Sequence, residues 1–549
     1  MGRQGWLMRL PLLAGILMIS APVLMLMAVA SLPSLGSAAQ GIGLVHLLLT
    51  VLPGYALNSL LLSLLVLAIV LVIGVGCAWL IAAYDFPFRG FFHWALVLPL
   101  ALPSFVVAYA YTDFDTGTVA WRWLSSALAP FGLSRAIGNA GNLVAAASVL
   151  GLVLYPYVYL LARTAFEERS PSLAEAALSL GESPWRAWRS VVWPVARPAV
   201  VAGCTLVLME TLADFGTVAY FAVDTFTAGI YRAWQSLGDR VGAARLALSL
   251  LLLVVVLTTT ERQQRRRMRF FARGRISAPR QPITGASALL ATIGCIMPLC
   301  FGLLLPLGLL ARAWIQSGDG IDPRLLQWAG NSALLAVSAT LAIVPTTLLV
   351  AYGMRLMPGP RARLATGLVC SGYAVPGLVL AIGLLAIFGW VDRLLGSSVL
   401  SGTIVAVVYA YSVRFFAIGY QSVEAGLSRI SPSMDQSARS LGASGFETLR
   451  LVHWPLLRSS IAIASLLVFV DCLKELPATI VLRPFNFDTL SVVAYQYASD
   501  ERLPQAAAPA LMIALVSLVP VILLSLYKPR FSRTPLTNPI DEPNSRRQW

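Results

Sequence analysis

Long apolar stretches alternate along this chain with short polar ones in which arginine, proline and glycine collect. Twelve apolar stretches stand out, near 11–31, 56–83, 94–111, 141–162, 197–213, 242–260, 285–314, 330–353, 365–389, 401–420, 459–475 and 506–527. A helix needs roughly 20 mainly apolar residues to cross the hydrocarbon layer, so each stretch predicts one membrane span. Composition agrees: of 549 residues 58% are hydrophobic and only 12% charged, and the mean hydropathy is +0.77. A soluble core has no room for so much apolar surface. The expected fold class is an all-α membrane protein of about 12 transmembrane helices.

The formal charge of +15 changes the picture through its placement. Arg3 and Arg9 precede the first stretch, and Arg89 follows the second. Arg163, Arg169, Arg186, Arg189 and Arg197 follow the fourth, and a run from Arg262 to Arg275 the sixth. Arg355, Arg361 and Arg363 follow the eighth, Arg429, Arg439, Arg450 and Arg458 the tenth, and Lys528, Arg530 and Arg533 the twelfth. Every even-numbered exit is basic, so the positive-inside rule predicts both termini in the cytoplasm of a multi-pass inner-membrane protein. Basic residues confined to short loops on one side, without interleaved aromatics, do not make a nucleic-acid surface. The apolar stretch from Leu10 to Leu32 exceeds the usual signal-peptide core, and a retained first span is expected. Cys77, Cys204, Cys295, Cys300, Cys370 and Cys472 all fall in the apolar stretches, and His46, His93 and His453 are scattered, so neither a disulfide framework nor a metal-binding spacing is read.

The chain is a duplication. Raising residue numbers by 261 lays Ser170–Pro194 on Ser431–Pro455 with 12 of 25 positions identical. The same shift lays Glu210 and Asp214 on Asp471 and Glu475. Slightly larger shifts pair Asn58-Ser59 with Asn331-Ser332 and Pro103 with Pro376. The expected domains are a first half over 1–260, an arginine-rich linker over 261–284, a second half over 285–527 and a polar tail over 528–549. Six spans per half make both halves enter from the same side, a parallel repeat about the membrane normal.

The repeated loops, about 163–197 and 424–458, carry local signals. Ser172 with Glu175, and Ser433 with Gln436, have capping-box spacing and are expected to start a short helix. Gly181 and Gly442 stand where a left-handed helix end is wanted. Ser183 and Ser444 can start a second short helix, which Pro194 and Pro455 are expected to end.

Glu175-Ala176-Ala177, Gly181 and Pro194 together resemble the EAA loop of binding-protein-dependent ABC import permeases; the second copy departs from that pattern with Gln436-Ser437-Ala438 but keeps Gly442 and Pro455 in register. The resemblance implies a type I ABC importer permease whose paired loops dock two copies of a cytoplasmic ATPase subunit, and a soluble binding protein on the far side of the membrane. The chain itself has no P-loop lysine: Lys474 precedes Glu475 and Lys528 precedes Pro529. No cofactor is expected on the chain, and ATP would be used by its partners. The tracts Glu210–Val218, Asp224–Tyr231, Lys474–Thr479 and Arg483–Leu490 look like the fused ferric-iron branch, whose binding protein would deliver iron in the periplasm; fused permeases for thiamine or phosphonate share the architecture.

Ionisable residues within membrane spans usually face a cavity or a partner. Glu210 with Asp214, and Asp471 with Glu475, are spaced to share a helix face. Two such pairs could converge on a translocation path as an acidic ring suited to a hard cation, with Lys474 offsetting one charge. The other reading of these acids is helix capping or ion pairing, for example with Arg414. A secondary transporter would not require the loops. A membrane enzyme would need a nucleophile-and-base pair or metal cluster, which the sequence lacks.

Overall fold

The computed structural model describes residues 4–31, 47–113, 134–167, 179–183, 186, 188–267, 280–318, 322–356, 359–397 and 399–526. Glu175, Ala176 and Ala177, the expected Ser172–Glu175 capping box, most of the linker and the polar tail lie outside them.

The first half contributes α1 Gln4–Ser31, α2 Leu49–Ala83, α3 Arg89–Ala101, α4 Ser104–Asp113, α5 Ser134–Glu167, α6 Trp188–Ala213, the short α7 Gly216–Tyr220 and α8 Phe226–Tyr231, and α9 Arg240–Arg267. The second half repeats the order with α10 Gly285–Ser317, α11 Leu325–Leu356, α12 Pro360–Cys370, α13 Gly377–Leu395, α14 Ile404–Leu427, α15 Pro432–Ser440, α16 Gly445–Leu473, α17 Pro477–Leu482, α18 Leu490–Ser499 and α19 Leu503–Leu526. Among the described residues ten helices are long and apolar enough to cross a membrane, and the bent pair α3–α4 makes an eleventh span. A two-residue parallel pairing joins Tyr84–Asp85 to Gln281–Pro282.

Two of the expected spans are broken. The stretch 94–111 bends by 89° between α3 and α4, and 365–389 breaks between α12 and α13. Each break falls before a proline that the repeat aligns. Leu102 (ψ 130°) and Val375 (ψ 119°) are extended, because the ring of Pro103 or Pro376 clashes with a helical predecessor.

Pro194 and Pro455 do not end a helix, as was expected, but lie inside the long helices α6 and α16. Each follows a five-residue π turn, Trp188–Val192 or Leu449–His453. Pro53 and Pro306 follow similar turns at Leu47–Val51 and Cys300–Leu304. A proline lacks the N–H for the preceding turn and pushes on its carbonyl, and the wider turn absorbs both effects without stopping the helix.

Within each half three helices pack together: α2, α5 and α6 in the first, α11, α14 and α16 in the second. Their crossings are close. A Cβ on Gly203 of α6 would stand 2.8 Å from the Val158 Cα of α5, the small-residue packing that draws helices together in lipid. Outside these triads the halves exchange an arm. Helix α1 packs on α9 of its own half and on α13 of the other, while α10 packs on α19 of its own half and on α4 of the first. Each half therefore embraces the other, and the surface between them lies on the molecular axis.

Candidate functional site

On that axis the acids sit at the ends of α6 and α16, where each helix breaks into a short second helix. Asp214 caps α7: its carboxylate accepts the Thr217 and Val218 N–H groups at 3.0 and 3.2 Å, the Thr217 hydroxyl at 3.1 Å and the Ser104 hydroxyl at 2.7 Å. Glu475 caps α17 in the same way, accepting the Ala478 and Thr479 N–H groups at 2.9 and 3.1 Å and the Thr479 hydroxyl at 2.7 Å. Its fourth partner differs, for Arg414 Nη1 approaches at 3.1 Å. Gly377 makes that approach possible, since a Cβ there would lie 2.6 Å from Arg414 Nη1 and 2.8 Å from Glu475 Oε1.

Glu210 and Asp471, one turn earlier, are less committed. Glu210 accepts the Tyr373 hydroxyl and lies 3.8 Å from Arg414 Nη2. Asp471 pairs with Lys474 at 2.7 Å, and the same Lys474 ammonium donates to the Leu100 carbonyl of the first half at 3.3 Å. All four acids line one small cavity of about 110 Å³ together with Tyr157, Tyr373, Arg414 and Lys474. Below it opens a vestibule of about 1060 Å³, also lined by Tyr157, Tyr373, Asp471 and Lys474. Its far end is ringed by Arg89, His93, Arg163 and Arg280, so it faces the side of the basic loops. Arg163 donates to the His93 carbonyl at 2.6 Å, and Glu167 stands within 4.0 Å of Arg163 and 3.8 Å of Arg280.

The opposite face is held by a repeated clasp. Asn58 donates to the Asp224 carbonyl and Ser59 accepts from the Phe226 N–H; Asn331 and Ser332 do the same with Asp488 and Leu490. The Asn-Ser alignment thus marks where each half returns its short outer helix to its own second span. Tyr495 and Phe215 pack across the halves as a tilted pair with 5.3 Å between ring centres, on this side of the acids.

At the basic face Gly181 and Gly442 adopt φ of +88° and +85°, left-handed turns that glycine enters without a Cβ penalty. Ser444 caps α16 with the full reciprocal box: Glu447 N–H to its hydroxyl at 3.3 Å and its own N–H to Glu447 at 2.7 Å. The box expected at Ser433 and Gln436 is not formed. The cap of α15 is Ser431, because Pro432 takes the first helical position, and the Ser433 hydroxyl lies 2.5 Å from that of Ser431. Gln436, Ser437 and Ala438 lie on α15 itself. The preceding residue anchors it: Asp435 meets Arg355 Nε at 2.7 Å and lies 2.7 Å from the Nε2 of the buried His453, while Arg355 also donates to the carbonyls of Leu427 and Ile430. Leu180, Leu441, Phe446 and Met434 are exposed there.

Sequence reasoning named the four acids, Lys474 and Arg414 but missed Tyr157, Tyr373, Ser104, Gly377 and the Arg355–Asp435–His453 set. For Ser104 and Gly377 a signal existed, since each follows a proline that the repeat aligns. Tyrosines in an apolar stretch gave none. Among the described residues no group of three or more His, Cys, Asp and Glu side chains is placed to hold a metal ion.

The family described as "Binding-protein-dependent transport system inner membrane component" matches residues 71–270 and again 343–533. The Fe(3+)-transport system permease protein FbpB 2 of Haemophilus influenzae is 25% identical over 86% of this chain and 89% of its own length. The molybdenum transport system permease protein ModB of Escherichia coli is 29% identical over 35% of this chain and 84% of its own. The sulfate transport system permease protein CysT of Escherichia coli is 31% identical over 28% of this chain and 52% of its own.

Proposed function

The chain belongs to the family of binding-protein-dependent transport system inner membrane components, and from that premise we propose that it is the permease of an importer of ferric iron. As a multi-pass inner-membrane component of an ABC transporter it is a transport subunit and not an enzyme. What carries the ferric reading is likeness to a ferric-iron permease over nearly the whole two-half length, joined to an axial cavity lined by four carboxylates and two cationic side chains. Hard trivalent cations prefer oxygen ligands.

In this reading the basic face and both termini are cytoplasmic, and a periplasmic binding protein delivers iron to the clasped outer face. Two copies of an ATPase subunit dock on the loops around Gly181 and Gly442, through Glu175, Ala176, Ala177 and Pro194 in one copy and Gln436, Ser437, Ala438 and Pro455 in the other. The chain holds no ATP. Closure of the ATPases swings the halves, and the vestibule on the basic face gives way to an opening on the other side. Glu210 and Asp471 face the passing cargo; Asp214 and Glu475 line the same cavity and hold its frame. A state with differential contact to cargo is what lets ATP energy drive the cycle.

One observation favours a second reading. Arg414 and Lys474 at the same cavity would suit an oxyanion, as would the partial likeness to molybdenum and sulfate permeases. Uptake into proteoliposomes carrying the permease with its ATPase and binding protein separates the two. ATP-dependent accumulation of ferric iron, with molybdate and sulfate inert, is expected; accumulation of either oxyanion without iron would reverse the assignment.

A further inference from the structure

The acids of the axial cavity fall into two kinds. Asp214 and Glu475 have their lone pairs occupied by backbone N–H groups, hydroxyls and, for Glu475, a guanidinium. Glu210 and Asp471 are 24% and 19% exposed, and both line the cavity. Beside them stand two phenols. The Tyr373 hydroxyl donates to Glu210, and Tyr157 and Tyr373 both line the small cavity and the vestibule alike. Tyr157 and Glu210 belong to the first half, Tyr373 and Asp471 to the second.

We propose that Tyr157, Glu210, Tyr373 and Asp471 form a transient ferric-ion site at the neck between cavity and vestibule, two oxygen donors from each half. The proposal rests on the ferric reading above and names the ligands it needs. Phenolate and carboxylate oxygens are hard anionic donors, matched to a small trivalent cation and poorly matched to softer divalent metals. On binding, each phenol releases its proton to vestibule water and ligates as phenolate; the metal stays ferric. Two phenolates and two carboxylates leave the trivalent ion with one excess negative charge, which Lys474, already 2.7 Å from Asp471, offsets. Arg414 remains the partner of Glu475. Without the ion, Lys474 and the Tyr373 hydroxyl occupy the carboxylates and spare them mutual repulsion.

The division of ligands between halves gives the site its use. Lys474 already reaches across to the Leu100 carbonyl, so the neck is a seam between halves. A movement that parts the seam takes two ligands from the ion at once and turns a tight site into a weak one without any change in the metal. Transport needs such a difference in affinity between states.

Ferric phenolate has a visible charge-transfer absorption that carboxylate ligation alone does not produce, which makes the site readable apart from transport. The permease with its ATPase subunits, nucleotide-free in lipid nanodiscs, is titrated with ferric citrate. A coloured complex is expected, absent in Tyr157→Phe/Tyr373→Phe, and that variant should lose ferric uptake by about tenfold or more, the factor that 1.4 kcal/mol represents. Phenylalanine keeps the ring packing. Should the double variant not assemble, Tyr373→Phe and Tyr157→Phe singly are expected to weaken the band and uptake together. Wild-type ferric uptake with no band, or with full uptake retained in the phenylalanine variants, overturns the site and leaves the importer reading standing. A wild-type assembly that moves no ferric iron overturns the importer reading and the site with it.

Discussion

At equivalent places in the two halves one buried carboxylate is satisfied by different chemistry. Asp214 in the first half has a neutral fourth partner, the Ser104 hydroxyl; Glu475 in the second has the Arg414 guanidinium. The exchange is distributed over aligned positions. Where the first half has Ser104 the second has Gly377, clearing the path that Arg414 uses, and 261 residues before Arg414 stands Val153, which lines the same cavity. Likewise Lys474 corresponds to Ala213. Both cationic side chains of the cavity thus come from the second half. The duplicated scaffold kept the cap and its geometry; the charge was free to differ. A hydroxyl contributes one hydrogen bond to the cap, whereas the guanidinium also compensates the ionised acid and brings Glu210 under the same influence.

The comparison breaks most forcefully at Arg414. Arg414→Val leaves the buried Glu475 carboxyl without its guanidinium partner, a change that costs about 3–5 kcal/mol. Thermal unfolding of the assembly in nanodiscs should show it as the largest loss among single substitutions at the cavity. Adding Gly377→Ser to that variant imports the first half's arrangement and is expected to restore part of the loss; a double variant no better than Arg414→Val would mean that the two caps are not interchangeable. Gly377→Ala alone keeps the ion pair but drives a methyl group to within 2.6 Å of Arg414 Nη1. Overpacking of this kind costs roughly 1–3 kcal/mol, and unfolding at the wild-type temperature would show that Arg414 yields without strain.

The same contrast marks what sequence made legible. Hydropathy, basic loops and the repeat placed the spans, the two-half architecture and the glycine turns, because each is a property of composition at fixed spacing. The spacing of Glu210 with Asp214, and of Asp471 with Glu475, put each pair on one helix face, and the structure brings all four to one cavity. Spacing could not say which oxygens were already occupied, for that depends on Ser104 and Arg414, more than 60 positions away in the chain. Hydropathy also read the segments at Pro103 and Pro376 as straight spans, since an apolar kink and an apolar helix have the same composition. The exchange of α1 and α10 between halves was invisible for a related reason: a span's length says nothing about its neighbours. At the basic face, Ser433 and Gln436 had the right spacing for a box, but Pro432 moved the helix start to Ser431.

The loops offer a second, milder contrast. Glycine turns are equal in the two copies, with nothing within 4 Å of a Cβ added at Gly181 or Gly442, so Gly181→Val and Gly442→Val act through backbone strain alone, about 1–2 kcal/mol each. The acid that anchors the second loop has no counterpart in the sequence of the first. The α15 loop is tied to α11 by Arg355 and Asp435, while the position aligned with Asp435 is Ala174. ATPase-coupled uptake should therefore fall in both single variants and be lost in the double variant, with global unfolding temperature little changed. Full uptake in the double variant would show that the turns do not transmit force.

The smallest effect is expected at the neutral cap itself. Ser104→Ala removes one hydroxyl from Asp214 and leaves the two N–H groups and the Thr217 hydroxyl in place. A typical hydrogen bond contributes about 1 kcal/mol net, and the remaining three donors keep the carboxylate from being orphaned. Unfolding should drop by no more than this, several times less than for Arg414→Val, with uptake retained. That ratio is the test of the contrast: a Ser104→Ala loss as large as that of Arg414→Val would mean that the hydroxyl and the guanidinium are equally indispensable. The charge in the second half would then serve the cap alone, with no part in the electrostatics of the passage.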